Sequence, residues 1–198
     1  HKKDDKIIVL SEPTVSVAAE AMETFFHHLF IRDWETAYTL LTTEDKDLVG
    51  FEEFAEWREA IELCSRLQSY KITLLRTLSD LRLDRLTYRH GVEYQVSITE
   101  LDSLTGETST ETVRKYAVYD GASWRIWLGS RNVKSATLRF RMLAEKNKSG
   151  KWLALQLGKT ENTISRWVRN INQPTVEQLF DIAQILNVDV KELLNSNN

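Results

Sequence analysis

The 198-residue chain carries one cysteine, two prolines and seven glycines, and each scarcity removes a class of protein. A lone Cys64 excludes an internal disulfide, and its neighbours Ile61 and Leu63 point to a plain buried thiol rather than a reactive one. No low-complexity tract and no internal repeat interrupts the sequence. No apolar run approaches the roughly 18 residues that span a bilayer, and "HKKDDKIIVL" does not continue into a secretory core. Because the chain begins at His1, its natural N-terminus is expected to lie upstream.

Signatures of catalysis are equally scarce. The histidines are His1, His27, His28 and His90, and the adjacent His27 and His28 point about 100° apart on a helix, so they cannot chelate one ion. There is no HExxH, no glycine-rich phosphate loop and no nucleophile with a visible base beside it. His90 next to Gly91 reads as a turn residue. Asp33 and Tyr38 are placed to line a pocket, but capping and packing are the plainer roles. No metal, cofactor or catalytic residue is expected, and the chain reads as a non-enzyme.

What is present is ordinary globular composition, 42% hydrophobic and 28% charged, with an uneven distribution of charge. Residues 133–198 hold ten Lys and Arg against six Asp and Glu, a net of +4, which leaves residues 1–132 at −7. An acidic body on a basic tail is expected where only the tail meets a polyanion.

Periodicity divides the chain in the same place. Ala18, Met22, Phe25, Phe26 and Leu29 share one face of a helix over 15–31. Asp33 starts a short second helix through Trp34, Ala37, Tyr38 and Leu41. After a polar turn ending in Gly50, Phe54, Trp57, Ile61 and Cys64 mark a third. The period then becomes two, in Tyr70, Ile72 and Leu74, in Val92, Tyr94, Val96 and Ile98, and in a strand through Val113, Tyr116 and Val118. Asp120-Gly121 turns the chain into "ASWRIWLG", where Trp124, Ile126 and Leu128 share one face. Helices followed by an antiparallel meander predict an α+β layer.

This order, with "RDWETAYTLLTTEDK" near its start and "YDGASWRIWL" at its end, resembles the NTF2-like (ketosteroid-isomerase-like cone) family over roughly residues 14–129. The resemblance implies helices packed on a curved antiparallel sheet and a cone that dimerises, takes a small-molecule ligand, or both.

From Ala136 the period is helical again, in five short helices. The first covers 136–146, with Leu138, Met142 and Leu143 inward. The second is "GKWLALQL", closed by Gly158; Thr160 caps the third, with Glu161 in its first turn. Thr175 and Gln178 have capping-box spacing before a fourth helix presenting Val176, Leu179, Phe180, Ala183 and Leu186. Residues 190–194 form the last. The third helix, within "KTENTISRWVRNINQPT", is poor in apolar residues apart from Ile164 and Trp167, so most of its surface must face something polar.

The small Ala154 at a helix crossing, Gly158 at the turn, the apolar set Leu153, Leu157, Ile164 and Trp167, and the following "NQPT" resemble the Cro/C1-type (XRE-like) helix-turn-helix family over about residues 137–195. The resemblance makes 160–170 the recognition helix, lying in the major groove of double-stranded DNA. It implies base contacts from Glu161, Asn162 and Arg166. Their chemistry suits cytosine N4, adenine N6/N7 and guanine O6/N7 respectively. Lys159, Thr163, Arg169 and Asn172 then contact phosphates. Where the family usually has Gln, this chain has Gly150, so Ser149 or Lys151 takes over that contact.

The expected organisation is an NTF2-like domain over 1–130, a linker over 131–136 and a helix-turn-helix domain over 137–198. The expected function is a cytoplasmic, sequence-specific, homodimeric transcriptional regulator whose first domain dimerises or senses a ligand. The alternative is an NTF2-like enzyme or scaffolding module tethered to DNA or to a protein by its helix-turn-helix.

Overall fold

The computed structural model describes residues 13–103, 105–130, 148–168 and 172–193. Helix α1, Val15–Phe30, buries Ala18, Met22, Phe25, Phe26 and Leu29, the stripe its periodicity predicts. Helix α2, Trp34–Thr39, starts at Asp33, whose Oδ1 accepts from the Thr36 amide at 3.1 Å. The Tyr38 hydroxyl donates to the Val49 carbonyl at 3.0 Å, so both residues serve capping and packing.

The polar stretch before Gly50 is not the simple turn the sequence suggests, because Thr43–Leu48 forms a further helix, α3. Thr42 caps it, accepting from the Asp45 amide at 3.1 Å. The Asp45 carboxylate, 1% exposed, accepts in turn from the Thr42 hydroxyl, the Leu128 amide, and the amide and hydroxyl of Ser130, at 2.7–3.0 Å. A buried carboxylate is tolerable only with such a set of donors. Here they tie α3 to the chain leaving the last strand. Helix α4, Phe51–Cys64, then buries Phe54, Trp57, Ala60 and Ile61.

Four antiparallel strands follow in the order β1-β2-β3-β4: Ser65–Leu83, Leu86–Asp102, Thr108–Tyr119 and Trp124–Trp127. The first two run longer than the alternating segments suggested, joined by a tight turn in which Asp84 takes a left-handed φ of 51°. His90 lies inside β2 opposite Ser79, not in a turn. Gly91 beside it is there for close approach: a Cβ would lie 2.7 Å from Leu81 Cδ2. Residues 40–42 add in parallel to β4 through Thr42 N–Ile126 O at 3.1 Å and Ile126 N–Leu40 O at 2.9 Å, which covers an edge open to further pairing.

The inner faces of β2 and β3 present Val92, Tyr94, Val96, Val113 and Ala117 to α1 and α4, and this is the main core. Among the described residues no helix is long and apolar enough to cross a membrane, and no cluster of His, Cys, Asp and Glu could hold a metal ion.

The C-terminal segment contains α5, Gly150–Leu157, α6, Glu161–Val168, α7, Val176–Leu186, and a 3-10 turn over Val190–Leu193. The helix predicted over 136–146 and the predicted linker lie outside the described residues. In α7, Val176 and Phe180 are exposed, contrary to expectation, and Ile182 packs inward with Leu179, Ala183 and Leu186. The capping box fixes the start: Gln178 N donates to Thr175 Oγ1 at 3.2 Å and Thr175 N to Gln178 Oε1 at 2.8 Å.

Candidate nucleic-acid interface

Helices α5 and α6 meet through Leu153, Ala154, Ile164 and Trp167, each at most 4% exposed, while Leu157 is half-buried. Ser149 caps α5 by accepting from the Trp152 amide at 3.0 Å. Gly158 ends it with φ 63°, a conformation that costs glycine nothing, and Lys159 N then bonds the Ala154 carbonyl at 2.9 Å. Thr160 caps α6, its Oγ1 accepting from the Thr163 amide at 3.2 Å and lying 2.9 Å from the Thr163 hydroxyl. Because Ile164 and Trp167 supply the inward anchors, Glu161 and Asn162 are exposed and Arg166 is partly so.

The polar face of α6 is turned toward the first domain. A cleft of ≈ 440 Å³ separates α5 and α6 from β3 and the ends of α4 and β2. Lys151, Glu161, Asn162 and Arg166 line one wall; Asp102, Ser109, Thr110 and Glu111 line the other. Carboxylates bridge the gap. Lys151 Nζ donates to Glu107 at 2.9 Å and lies 3.9 Å from Glu161, and Glu107 holds that ammonium above the usual lysine value. The Ser165 hydroxyl donates to Glu111 Oε2 at 3.0 Å, and Arg166 stands 3.9 Å from Glu111 Oε1. That last separation is an ion pair without a direct hydrogen bond.

Of the residues expected to touch DNA, the structure gathers Ser149, Lys151, Glu161, Asn162 and Arg166 at this cleft. Lys159 and Asn172 are exposed elsewhere on the domain surface. Thr163 is half-buried beside its capping partner. Arg169 lies outside the described residues. Sequence reasoning missed Glu107 and Glu111, since acidic residues on a hairpin carry no mark of what will face them. Cys64 also lines the cleft, and burial, with Asp102 nearby, pushes its thiol up to about 11, away from reactivity at neutral pH.

Residues 139–193 match the family model for helix-turn-helix domains, so the C-terminal part of the chain is a helix-turn-helix domain. A domain of this kind is a DNA-binding module of transcription regulators. No curated protein matches the chain.

Proposed function

We propose that the protein is a sequence-specific DNA-binding transcriptional regulator, with α6 as recognition helix and the first domain, an NTF2-like cone, as its dimerising or ligand-sensing part. The observation that carries this is a matched helix-turn-helix whose helix α6 is anchored by Ile164 and Trp167 and keeps Glu161, Asn162 and Arg166 free of the core. Glu161, Asn162 and Arg166 read base edges; Ser149, Lys151, Lys159, Thr163, Arg169 and Asn172 hold phosphates. One small module buries too little surface for specificity at cellular salt, so two half-sites about 34–36 Å apart, read by a homodimer, fit the role. Such work places the domain in the cytoplasm.

The cleft adds a condition. Lys151 and Arg166 are held by Glu107 and Glu111, so a duplex must displace those carboxylates before α6 enters a groove. The same contacts favour the second reading, in which this face docks on protein, because it already binds acidic side chains of the first domain.

Selection of bound sequences from a random duplex pool, using the full chain near physiological salt, tests the proposal. A palindromic consensus is the expected result and gives the half-site spacing directly. Recovery of no enriched sequence, with only weak, salt-sensitive binding, would overturn it in favour of the protein-docking reading.

A further inference from the structure

Between α1, α4 and the inner face of the sheet lies a second, partly open cavity, ≈ 70 Å³ in volume. Its walls are mostly apolar, with Phe25, Phe54, Trp57 and Val113 among them, yet Lys115 and Arg58 also line it. Lys115 is there because it shares with Val113 and Ala117 the face of β3 turned to the main core, while Tyr116 and Val118 belong to the other face. A lysine at an inward strand position is uncommon, since a buried ammonium needs acceptors for three N–H groups.

Among the described residues Lys115 has no hydrogen-bond or ion-pair partner. Burial pushes its ammonium down to about 8, with Arg58 adding to the effect and Asp45 opposing it. Two further donors of the same core are also unmatched. The Trp57 indole N–H, in the same cavity, is buried without an acceptor, and so is the hydroxyl of Tyr94, the residue opposite Lys115 in β2. The carboxylate in the lining, Glu100, accepts from the Ser65 hydroxyl at 2.7 Å. An apolar core gains nothing from such groups, and buried polar atoms left unsatisfied call for an explanation.

We infer that this cavity binds a small monocarboxylate, its charged end on Lys115 and the Trp57 N–H and its aliphatic end against Phe25, Phe54 and Val113. The groups left unmatched are cationic or can donate, so the missing partner is an acceptor carrying negative charge. The apolar walls exclude a polyanion such as a nucleotide. The volume, several times the roughly 10–15 Å³ that a single water requires on the same measure, restricts the ligand to short chains. This rests on the reading of the first domain as the sensing part, and supplies the chemistry it senses.

The test is calorimetry and thermal melting of the full chain, without DNA, against sodium acetate, propionate, butyrate and hexanoate, with sodium chloride and the matching primary amides as controls. At least one carboxylate is expected to bind and to raise the melting temperature while its amide does not. Lys115→Met should weaken that binding by about tenfold or more while the variant stays folded. Lys115→Arg, which keeps the charge, should retain part of it. Binding should also fall as the pH rises past about 8, where Lys115 loses its proton in a site shared with Arg58, Asp45, Glu100 and Tyr94. No binding by any of the four acids, equal binding by the amides, or undiminished binding in Lys115→Met would each overturn the inference. Because DNA is absent, the result stands apart from the duplex selection, and failure of one leaves the other readable.

Discussion

The cleft beside α6 and the cavity beneath α1 and α4 both hold basic side chains, and they treat them in opposite ways. In the cleft, Lys151 and Arg166 are wet and each faces a carboxylate. In the cavity, Lys115 is half-buried and, among the described residues, hydrogen-bonds to no carboxylate, although Glu100 lines the same space and Asp45 acts on it from a distance. The exposed Lys151–Glu107 pair is worth little, typically about 0–1 kcal/mol, and Arg166 makes no direct hydrogen bond to the largely buried Glu111, so the cleft can open at small cost. A half-buried cation with no direct partner is costly to desolvate, so the first domain carries at Lys115 a destabilisation that an anion would relieve. The difference assigns the cleft to reversible masking and the cavity to recognition.

Asp45 sharpens that contrast, because it is a buried charge with its donors in place. Asp45→Ala strands the amides of Leu128 and Ser130 and releases α3, and should cost about 4 kcal/mol in urea unfolding. A loss below about 1 kcal/mol would show that the α3 anchor contributes little to the domain. Lys115→Met should move stability the other way, a gain of about 2 kcal/mol without ligand at neutral pH. The titration agrees in sign. Lys115 is depressed from an ordinary 10.5 to about 8. Below about 8 it is protonated folded and unfolded alike, and the penalty is fully present. Between about 8 and 10.5 only the unfolded chain holds the proton, so stability should rise with pH, by at most about 3 kcal/mol. A flat profile there, with Lys115→Met destabilised, would mean that Lys115 has a structural partner after all.

The next effect belongs to the cleft. Arg166→Ala should relax base preference at one operator position by about 1–3 kcal/mol and leave the others unchanged, as read by repeating the duplex selection on the variant. An unaltered consensus would remove Arg166, and with it the placement of α6, from base reading. Smaller again is the unmasking effect. Glu107→Gln with Glu111→Gln removes the ionic hold on Lys151 and Arg166, and with it two charges that repel phosphate. Operator binding by fluorescence anisotropy should tighten up to about tenfold, since the exposed Lys151–Glu107 pair contributes about 1 kcal/mol or less and Arg166 has no direct hydrogen bond to Glu111. Unchanged or weaker affinity would mean that the cleft does not compete with DNA.

The two regions also differ in how legible they were. The helix-turn-helix could be read closely, because its geometry depends on neighbours in sequence: a crossing Ala154, a turn Gly158, a Thr160 cap and a Thr175–Gln178 box are local rules. The misassigned faces of Val176 and Phe180 are a rotation of one helix, which periodicity alone does not fix. The first domain depends on distant pairings. Nothing near Asp45 announces that Leu128 and Ser130 will come to it, and Glu111 shows no sign of its approach to Ser165. Lys115 belongs with them. Periodicity singles out Val113, Tyr116 and Val118 in its strand and passes over Lys115; its place on the face of Val113 and Ala117, and its surroundings, required the structure.

Lys159 supplies the smallest effect and the cleanest separation of the two kinds of cation in the helix-turn-helix. It is exposed at the turn before α6 and takes no part in the cleft. A cation that contacts only phosphate adds affinity through counterion release and carries no sequence information. Lys159→Ala should therefore weaken specific and random duplexes alike and flatten the plot of log affinity against log salt by about one unit of slope. It should leave the consensus and the response to Glu107→Gln/Glu111→Gln intact. Lys151→Ala should differ in one respect: because Lys151 leaves Glu107 before it reaches a phosphate, part of its loss should vanish in the Glu107→Gln background. Equal losses for the two lysines in both backgrounds would show that the Lys151–Glu107 pair does not hold the domain back from DNA.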